Sequence, residues 1–232
     1  MRLALFDLDN TLLSADSDLE WSELLAEDGA MDVEEVRQFH RDYHAGTLDI
    51  ERFYRVQLAP LAREPMERLL AWRERFLSQR ILPRLSPRGR TLVDGHRRAG
   101  HELVLITATN QFFTEPIAAE LGIPNLVCTH AQMQGGRFTG RVEGTPCYRA
   151  GKIEHLERWL RARGSSRAAL RESWFYSDSH NDVPLLAVVD HPVCVDPDAK
   201  LARVAAERGW RVISLRTPAE ASETLRSSTK SG

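Results

Sequence analysis

The chain opens Met1-Arg2-Leu3-Ala4-Leu5-Phe6-Asp7-Leu8-Asp9-Asn10-Thr11-Leu12-Leu13-Ser14-Ala15-Asp16-Ser17-Asp18, and the reading of its first nine residues decides the fold. Leu3 to Phe6 form a short apolar run, the pattern of a strand buried on both faces. The run drives straight into Asp7 and Asp9. Strands of this kind end at the carboxyl edge of a parallel sheet, where open α/β folds place their ligands. Two carboxylates at that edge repel each other and cost stability unless a cation or a reaction uses them. The opening therefore predicts an α/β fold with a doubly wound parallel sheet, and a metal-assisted site at the end of its first strand.

Further along, other apolar runs end on polar groups. His101-Glu102-Leu103-Val104-Leu105-Ile106-Thr107 reads as a second buried strand, delivering Thr107. Ser173-Trp174-Phe175-Tyr176-Ser177-Asp178 reads as a later one, delivering Asp178, with Asp182 four residues on. Lys152 follows Gly151 at the start of a helix running to about Arg163. Shorter strands are expected at Val127-Cys128-Thr129, His191–Val195 and Arg211–Leu215, and a hairpin after Gly135-Gly136. Alternating strands and helices make a parallel sheet of five or six strands, whose carboxyl edge can gather these groups in one crevice.

Each residue alone has an ordinary explanation. An Asp at a strand end is usually a turn or helix-cap residue, and a lone Lys a solvated one. The joint order is what carries chemistry: D-x-D, then Thr, then Lys, then D-x-x-x-D. Oxygen-only ligands from carboxylates suit Mg²⁺ rather than zinc. A carboxylate can attack phosphorus and form an aspartyl-phosphate. An acid two residues along can protonate a leaving alcohol and then activate water. Thr107 and Lys152 supply the donor and the charge that a transferring phosphoryl group needs.

The 15–82 stretch looks wholly helical, a four-helix unit inserted after the first strand. Asp18 and Ser22 open the first helix, Asp32 and Asp49 can cap the second and third, and Pro65 starts the fourth. Gly29, Gly46 and Pro60 punctuate the set. His40 and His44 share a helix face, and Trp21, Phe39 and Trp72 are candidates for the unit's core. The expected division is an α/β core of residues 1–14 and 83–226, a helical cap of 15–82, and a disordered tail of 227–232.

With 232 residues and a net charge of -2, the chain gives no reason to expect nucleic acid or an anionic membrane as partner. Cys128, Cys147 and Cys194 are odd in number and widely spaced, as in reduced, buried thiols. The first apolar run is broken by Asp7 too early for a signal peptide, and no stretch approaches a membrane helix. A cytoplasmic location and a small-molecule partner, a phosphate ester, are expected; the oligomeric state stays open.

The motifs resemble those of the haloacid dehalogenase (HAD) superfamily of phosphohydrolases. Asp7-Leu8-Asp9-Asn10-Thr11 is similar to that family's D-x-D-x-T, Thr107 to its second motif, Lys152 to its third, and Asp178-Ser179-His180-Asn181-Asp182 to its fourth. The resemblance implies Asp7 as nucleophile and Asp9 as general acid/base. It also implies phosphate binding by Thr107 and Lys152. It implies Mg²⁺ held by Asp7, the backbone carbonyl of Asp9 and Asp178, with Asp182 as a water-mediated or outer ligand. The helical insertion resembles the cap of the phosphoserine phosphatase branch. There Arg55 matches the residue that holds the substrate carboxylate, and Asp16 lies where a Glu meets the substrate amine. Asn110 and Asn181 complete the expected substrate-binding set. Asp16-Ser17-Asp18 with Trp21, and Gly144–Lys152, look more like a neighbouring bacterial group that includes histidinol-phosphatases. The expected activity is hydrolysis of a small amine-bearing phosphate ester, histidinol phosphate or phosphoserine. The alternatives are a phosphotransferase or mutase on the same fold, and a receiver-like signalling domain.

Overall fold

The computed structural model describes residues 1–216; the 227–232 tail lies outside them, as do residues 217–226 assigned to the core. In chain order the strands are β1 (Arg2–Phe6), β2 (Glu102–Asn110), β3 (Asn125–Thr129), β4 (Ala131–Gln134), β5 (Arg137–Val142), β6 (Glu172–Ser177), β7 (His191–Val195) and β8 (Arg211–Ile213). The helices are α1 (Ser17–Glu27), α2 (Val33–Ala45), α3 (Ile50–Arg63), α4 (Met66–Phe76), α5 (Pro87–Arg98), α6 (Gln111–Glu120), α7 (Ala150–Arg161), α8 (Val183–Leu186) and α9 (Ala199–Arg208).

Six strands form one sheet in the order β3-β2-β1-β6-β7-β8, and every neighbouring pair is parallel. The expected fold class is the one observed. Phe6 pairs with Leu105 on one side and Tyr176 on the other, so β1, β2 and β6 leave the sheet at one edge. The winding reverses between β1 and β6, which opens a crevice directly above Asp7.

Side chains alternate across the sheet. Leu3, Leu5, Val104 and Ile106 pack with Leu156, Leu160 and Leu201 on one face. Ala4, Phe6, Leu103 and Leu105 join a second cluster on the other, which continues into α1, α3 and α4. Trp21 ties the helical unit to this cluster, its ring 5.3 Å from Phe76 and 5.2 Å from Phe113.

Four helices do lie between β1 and α5, joined to α5 by a π turn (Leu77–Ile81) and a short 3-10 turn (Leu82–Arg84). The chain enters and leaves this unit side by side. Leu13 bridges Leu85, Ser14 N donates to Arg84 O at 2.9 Å, and Ser86 N to Leu12 O at 2.9 Å.

Several boundaries differ from expectation. The cap of α1 is Asp16, whose Oδ1 accepts from Leu19 N at 3.0 Å, rather than Asp18; that places Asp18 inside the first turn. Pro60 lies inside α3 and buries its ring instead of ending the helix. β2 runs three residues past Thr107 to Asn110, with a register shift against β3 between Ile106 and Asn110. The helix α9, capped by Asp198, was not anticipated. The three cysteines are free and buried as expected.

Candidate active site

β1 ends by donating Asp7 N to Tyr176 O at 2.9 Å, which holds Asp7 at the centre of the sheet edge. Its side chain is buried, and Oδ1 accepts from Lys152 Nζ at 2.7 Å. Burial pushes the Asp7 carboxyl up to about 7; Lys152 opposes the rise, and Asp182 and Asp9 add to it. Asp9 points the other way along the crevice. Its Oδ1 accepts from Ser17 N at 2.7 Å and its Oδ2 from Thr109 Oγ1 at 2.9 Å. Burial, and then the Asp16 charge, push Asp9 up to about 6 against those two donors. An acid poised there can give and take a proton near neutral pH.

Asp178 lies just past the end of β6. Thr11 Oγ1 accepts from Asp178 N at 3.1 Å and faces Asp178 Oδ1 at 3.3 Å, so the loop after β1 clamps the loop after β6. Burial, Asp7 and Asp182 hold the Asp178 carboxyl well above the usual range. Asp182 Oδ2 accepts from Lys152 Nζ and from Ser177 Oγ, both at 2.7 Å.

Lys152 is thus the hub. Burial opposes its charge, but Asp182 and Asp7 outweigh that and hold it protonated. A tight turn delivers it. Arg149 adopts φ 52, ψ -123, and a Cβ on Gly151 would lie 2.3 Å from the Pro146 carbonyl oxygen. Only glycine fits at 151, and the next residue enters the crevice. Thr107 is buried at the same edge, its Oγ1 accepting from Thr109 N at 3.2 Å.

Three buried carboxylates, Asp7, Asp178 and Asp182, line the crevice with the one ammonium of Lys152, which pairs with Asp7 and Asp182 and leaves the crevice short of positive charge. That balance fits a divalent cation with oxygen ligands. No group of three or more His, Cys, Asp or Glu side chains among the described residues is arranged to hold a metal. Beyond their hydrogen bonds, Asp7, Asp178 and Asp182 each keep a second carboxylate oxygen that could ligate, and Mg²⁺ commonly takes one or two carboxylates and fills the rest with water. The Asp9 carboxylate is taken by Ser17 N and Thr109 Oγ1, and Asp182 Oδ2 by Lys152 and Ser177.

Asp7, Asp9, Asp16, Thr107, Lys152, Asp178 and Asp182 line one crevice. Three expected substrate-binding residues do not. Asn110 is the cap of α6, its Oδ1 accepting from Phe112 N at 3.1 Å. Asn181 is buried behind the wall, its Oδ1 accepting from Tyr148 Oη at 3.1 Å and Arg149 Nε at 2.9 Å. Arg55 lies one helical step beyond Tyr54 and faces out, onto a separate cavity of about 660 Å³ between α3 and β5. That larger void holds none of the catalytic candidates. The His44 side chain lies outside the described residues; His40 reaches the crevice, 3.7 Å from Asp16.

The structure adds residues whose roles the sequence reading missed. Thr109 bridges two acids, facing Asp9 Oδ2 at 2.9 Å and Asp18 Oδ2 at 3.3 Å. Asp18 and the rings of Phe39, Tyr43, Phe53, Tyr54 and Tyr148 complete the walls. The signal for Asp18 was present: Asp16 and Asp18 flank Ser17 as Asp7 and Asp9 flank Leu8. The crevice is narrow, about 60 Å³.

A haloacid dehalogenase-like hydrolase model matches residues 4–187. The chain is 42% identical over 219 residues to a histidinol-phosphatase of Neisseria meningitidis, covering 92% of this chain and 99% of that one. It is 32% identical to a phosphoserine phosphatase of Mycobacterium tuberculosis, over 92% of this chain and 70% of the relative. A Bordetella pertussis crystal structure of unknown function superposes with a TM-score of 0.87 at 43% identity, covering 93% of this chain and 99% of that one. No helix among the described residues is long and apolar enough to cross a membrane.

Proposed function

This chain belongs to the haloacid dehalogenase-like hydrolase family and is a phosphatase, and from that premise we propose that it is a Mg²⁺-dependent phosphomonoesterase working through an aspartyl-phosphate on Asp7. The observation that carries the reading is the arrangement at the end of β1. The Asp7 carboxylate meets the buried ammonium of Lys152 at 2.7 Å, while Asp9 is held apart by Ser17 N and Thr109 Oγ1.

In the first step an Asp7 oxygen attacks phosphorus as the bond to the alcohol oxygen breaks, and Asp9 gives its proton to that oxygen. In the second, water attacks the same phosphorus, Asp9 takes the water's proton, and the Asp7 carboxylate leaves with inorganic phosphate released. Lys152 and the Thr107 hydroxyl hold the phosphoryl oxygens through both steps. Asp7, Asp178 and the backbone carbonyl of Asp9 would hold Mg²⁺, which would supply neutralisation of phosphoryl charge.

The substrate is a small amine-bearing phosphate ester, histidinol phosphate or phosphoserine, with the amine near Asp16. Support comes from the likeness to the Neisseria and Mycobacterium phosphatases and from the acids in the crevice wall. Residues 15–82 act as a cap on the 1–14 and 83–226 core and open to admit substrate; the narrowness of the crevice supports this reading. Phosphate release from histidinol phosphate, phosphoserine and an aryl phosphate, with Mg²⁺ and with EDTA, tests the reading. Metal-dependent release from one of the two amine esters supports it. Release indifferent to EDTA contradicts the metal, and no release contradicts the hydrolase.

A further inference from the structure

Phosphoserine carries a carboxylate; histidinol phosphate carries an imidazole ring instead. Resting on the phosphatase reading, we propose that the crevice accepts a phosphate ester with a cationic, ring-bearing body and rejects one bearing a carboxylate. Asp18 is the specificity residue that receives the substrate's ammonium group, beside Asp16.

Charge is the first support. Six acids line the crevice (Asp7, Asp9, Asp16, Asp18, Asp178 and Asp182), and Lys152 is the one lysine or arginine among the described residues that does so. Lys152 is committed to Asp7 and Asp182 at 2.7 Å each. His40 also lines the crevice, but burial lowers its pKa and favours the neutral ring. The arginines of the helical unit that could have met a carboxylate are directed elsewhere. Arg52 pairs with Glu35 at 2.9 Å, Arg37 with Glu23 at 3.6 Å, and Arg55 lines the other cavity. A substrate carboxylate would enter a low-dielectric site whose acids already repel one another, where Lys152 is taken up by Asp7 and Asp182. An ammonium would meet the opposite situation.

The wall is the second support. Phe39, Tyr43, Phe53, Tyr54 and Tyr148 line the same crevice as the acids, with Phe39 edge-on to Phe53 at 5.6 Å. Flat rings pack well between such faces, and cations are attracted to them.

Asp18 is held rigidly at the crevice wall. Its backbone oxygen accepts from Ser22 Oγ at 2.6 Å and from Gln57 Nε2 at 3.2 Å, which fixes the first turn of α1 against α3. Its Oδ2 faces Thr109 Oγ1 at 3.3 Å, while Oδ1 makes no hydrogen bond among the described residues. That oxygen is the acceptor an ammonium group would find.

Phosphoethanolamine is phosphoserine without its carboxylate, so the pair isolates the group in question. With Mg²⁺ present, kcat/KM is measured for histidinol phosphate, phosphoethanolamine, phosphoserine and p-nitrophenyl phosphate. The expected order has histidinol phosphate first and phosphoethanolamine above phosphoserine by on the order of tenfold or more. In Asp18→Asn, the loss on histidinol phosphate should exceed the loss on p-nitrophenyl phosphate by about tenfold. Phosphoserine turned over as well as phosphoethanolamine overturns the inference and leaves the phosphatase reading standing; this comparison needs no variant. Equal losses on both esters in Asp18→Asn would mean that Asp18 acts through Asp9, which overturns its role toward the amine. No release from any of the four esters would bring down the phosphatase reading and the inference with it.

Discussion

The ammonium of Lys152 lies 2.7 Å from Asp7 Oδ1, with both side chains under a tenth exposed. The same nitrogen reaches Asp182 at 2.7 Å. One buried cation therefore links α7 to the end of β1 and to the loop after β6. Lys152→Met removes that cation and leaves two buried carboxylates uncompensated. Breaking a buried ion pair costs about 3–5 kcal/mol, so the unfolding midpoint in urea should drop markedly. Activity should fall by on the order of 1000-fold through the lost phosphate contact. A variant with wild-type stability would show that the link carries no folding energy.

Asp9 is assigned to proton transfer at the leaving oxygen, and the dependence on leaving group reports that role. Asp9→Asn should lower turnover of an alkyl phosphate by about 10²–10⁴. The first step on an aryl phosphate, whose leaving oxygen needs little protonation, should suffer much less; burst kinetics separate the two steps. Equal damage to the first step on both esters would argue that Asp9 serves another purpose.

Arg149 Nη2 donates to Gly46 O at 2.9 Å and Lys200 Nζ to Ala45 O at 2.7 Å. Both core side chains thus take up carbonyls at the carboxyl end of α2, where a helix leaves its oxygens unsatisfied and its dipole negative. These contacts hold the helical unit against the core. Removing the Lys200 contact, in Lys200→Ala, should favour the open form and raise KM while kcat holds or rises. The contact is exposed, so the expected cost in stability is at most about 1 kcal/mol. An unchanged KM would show that the latch is idle.

His96 is buried between Tyr176 Oη and His101 Nδ1, each at 2.7 Å. Burial, helped by the His101 ring, pushes its pKa from 6.5 down to about 4. The unfolded chain therefore takes up this proton first as pH falls. Stability from this group is fully present above about 6.5 and is lost between there and about 4, by on the order of 2 kcal/mol. Urea unfolding from pH 7.5 to 4.5 should show a shallower acid decline in His96→Gln than in the parent protein. Parallel curves would contradict the assignment.

Gly151→Ala should fail in a diagnostic way, because its Cβ would lie 2.3 Å from the Pro146 oxygen. The turn must shift and Lys152 with it, so activity should fall well beyond what the loss of stability explains. A fully active Gly151→Ala enzyme would show that the turn tolerates a side chain.

What was readable in the sequence followed from periodicity. Leu3–Phe6, Leu103–Ile106 and Trp174–Tyr176 are apolar runs that only a two-sided sheet can bury, and the groups after them had to share its edge. Asp7, Thr107 and Asp178 were legible for that reason. The helical unit was legible as helices, but not in rotation. Tyr54 and Arg55 are adjacent, yet about 100° of turn sends one into the crevice and the other out of it. Asn110 and Asn181 looked like substrate ligands because they stand among motif residues; their carbonyls were already needed by Phe112 N and Arg149. Asp18 was hidden by its neighbour, since the cap of α1 could have been either acid until Asp16 was seen to take Leu19 N.

The measurement that tests the central claim most directly is rapid acid quench of the enzyme with a phosphorus-labelled ester and Mg²⁺, within the first turnover. The account predicts a hydroxylamine-labile label on the peptide carrying Asp7, lost on chase with unlabelled ester and missing in Asp7→Asn. A label elsewhere, or turnover with no covalent phosphate at any time, would contradict it.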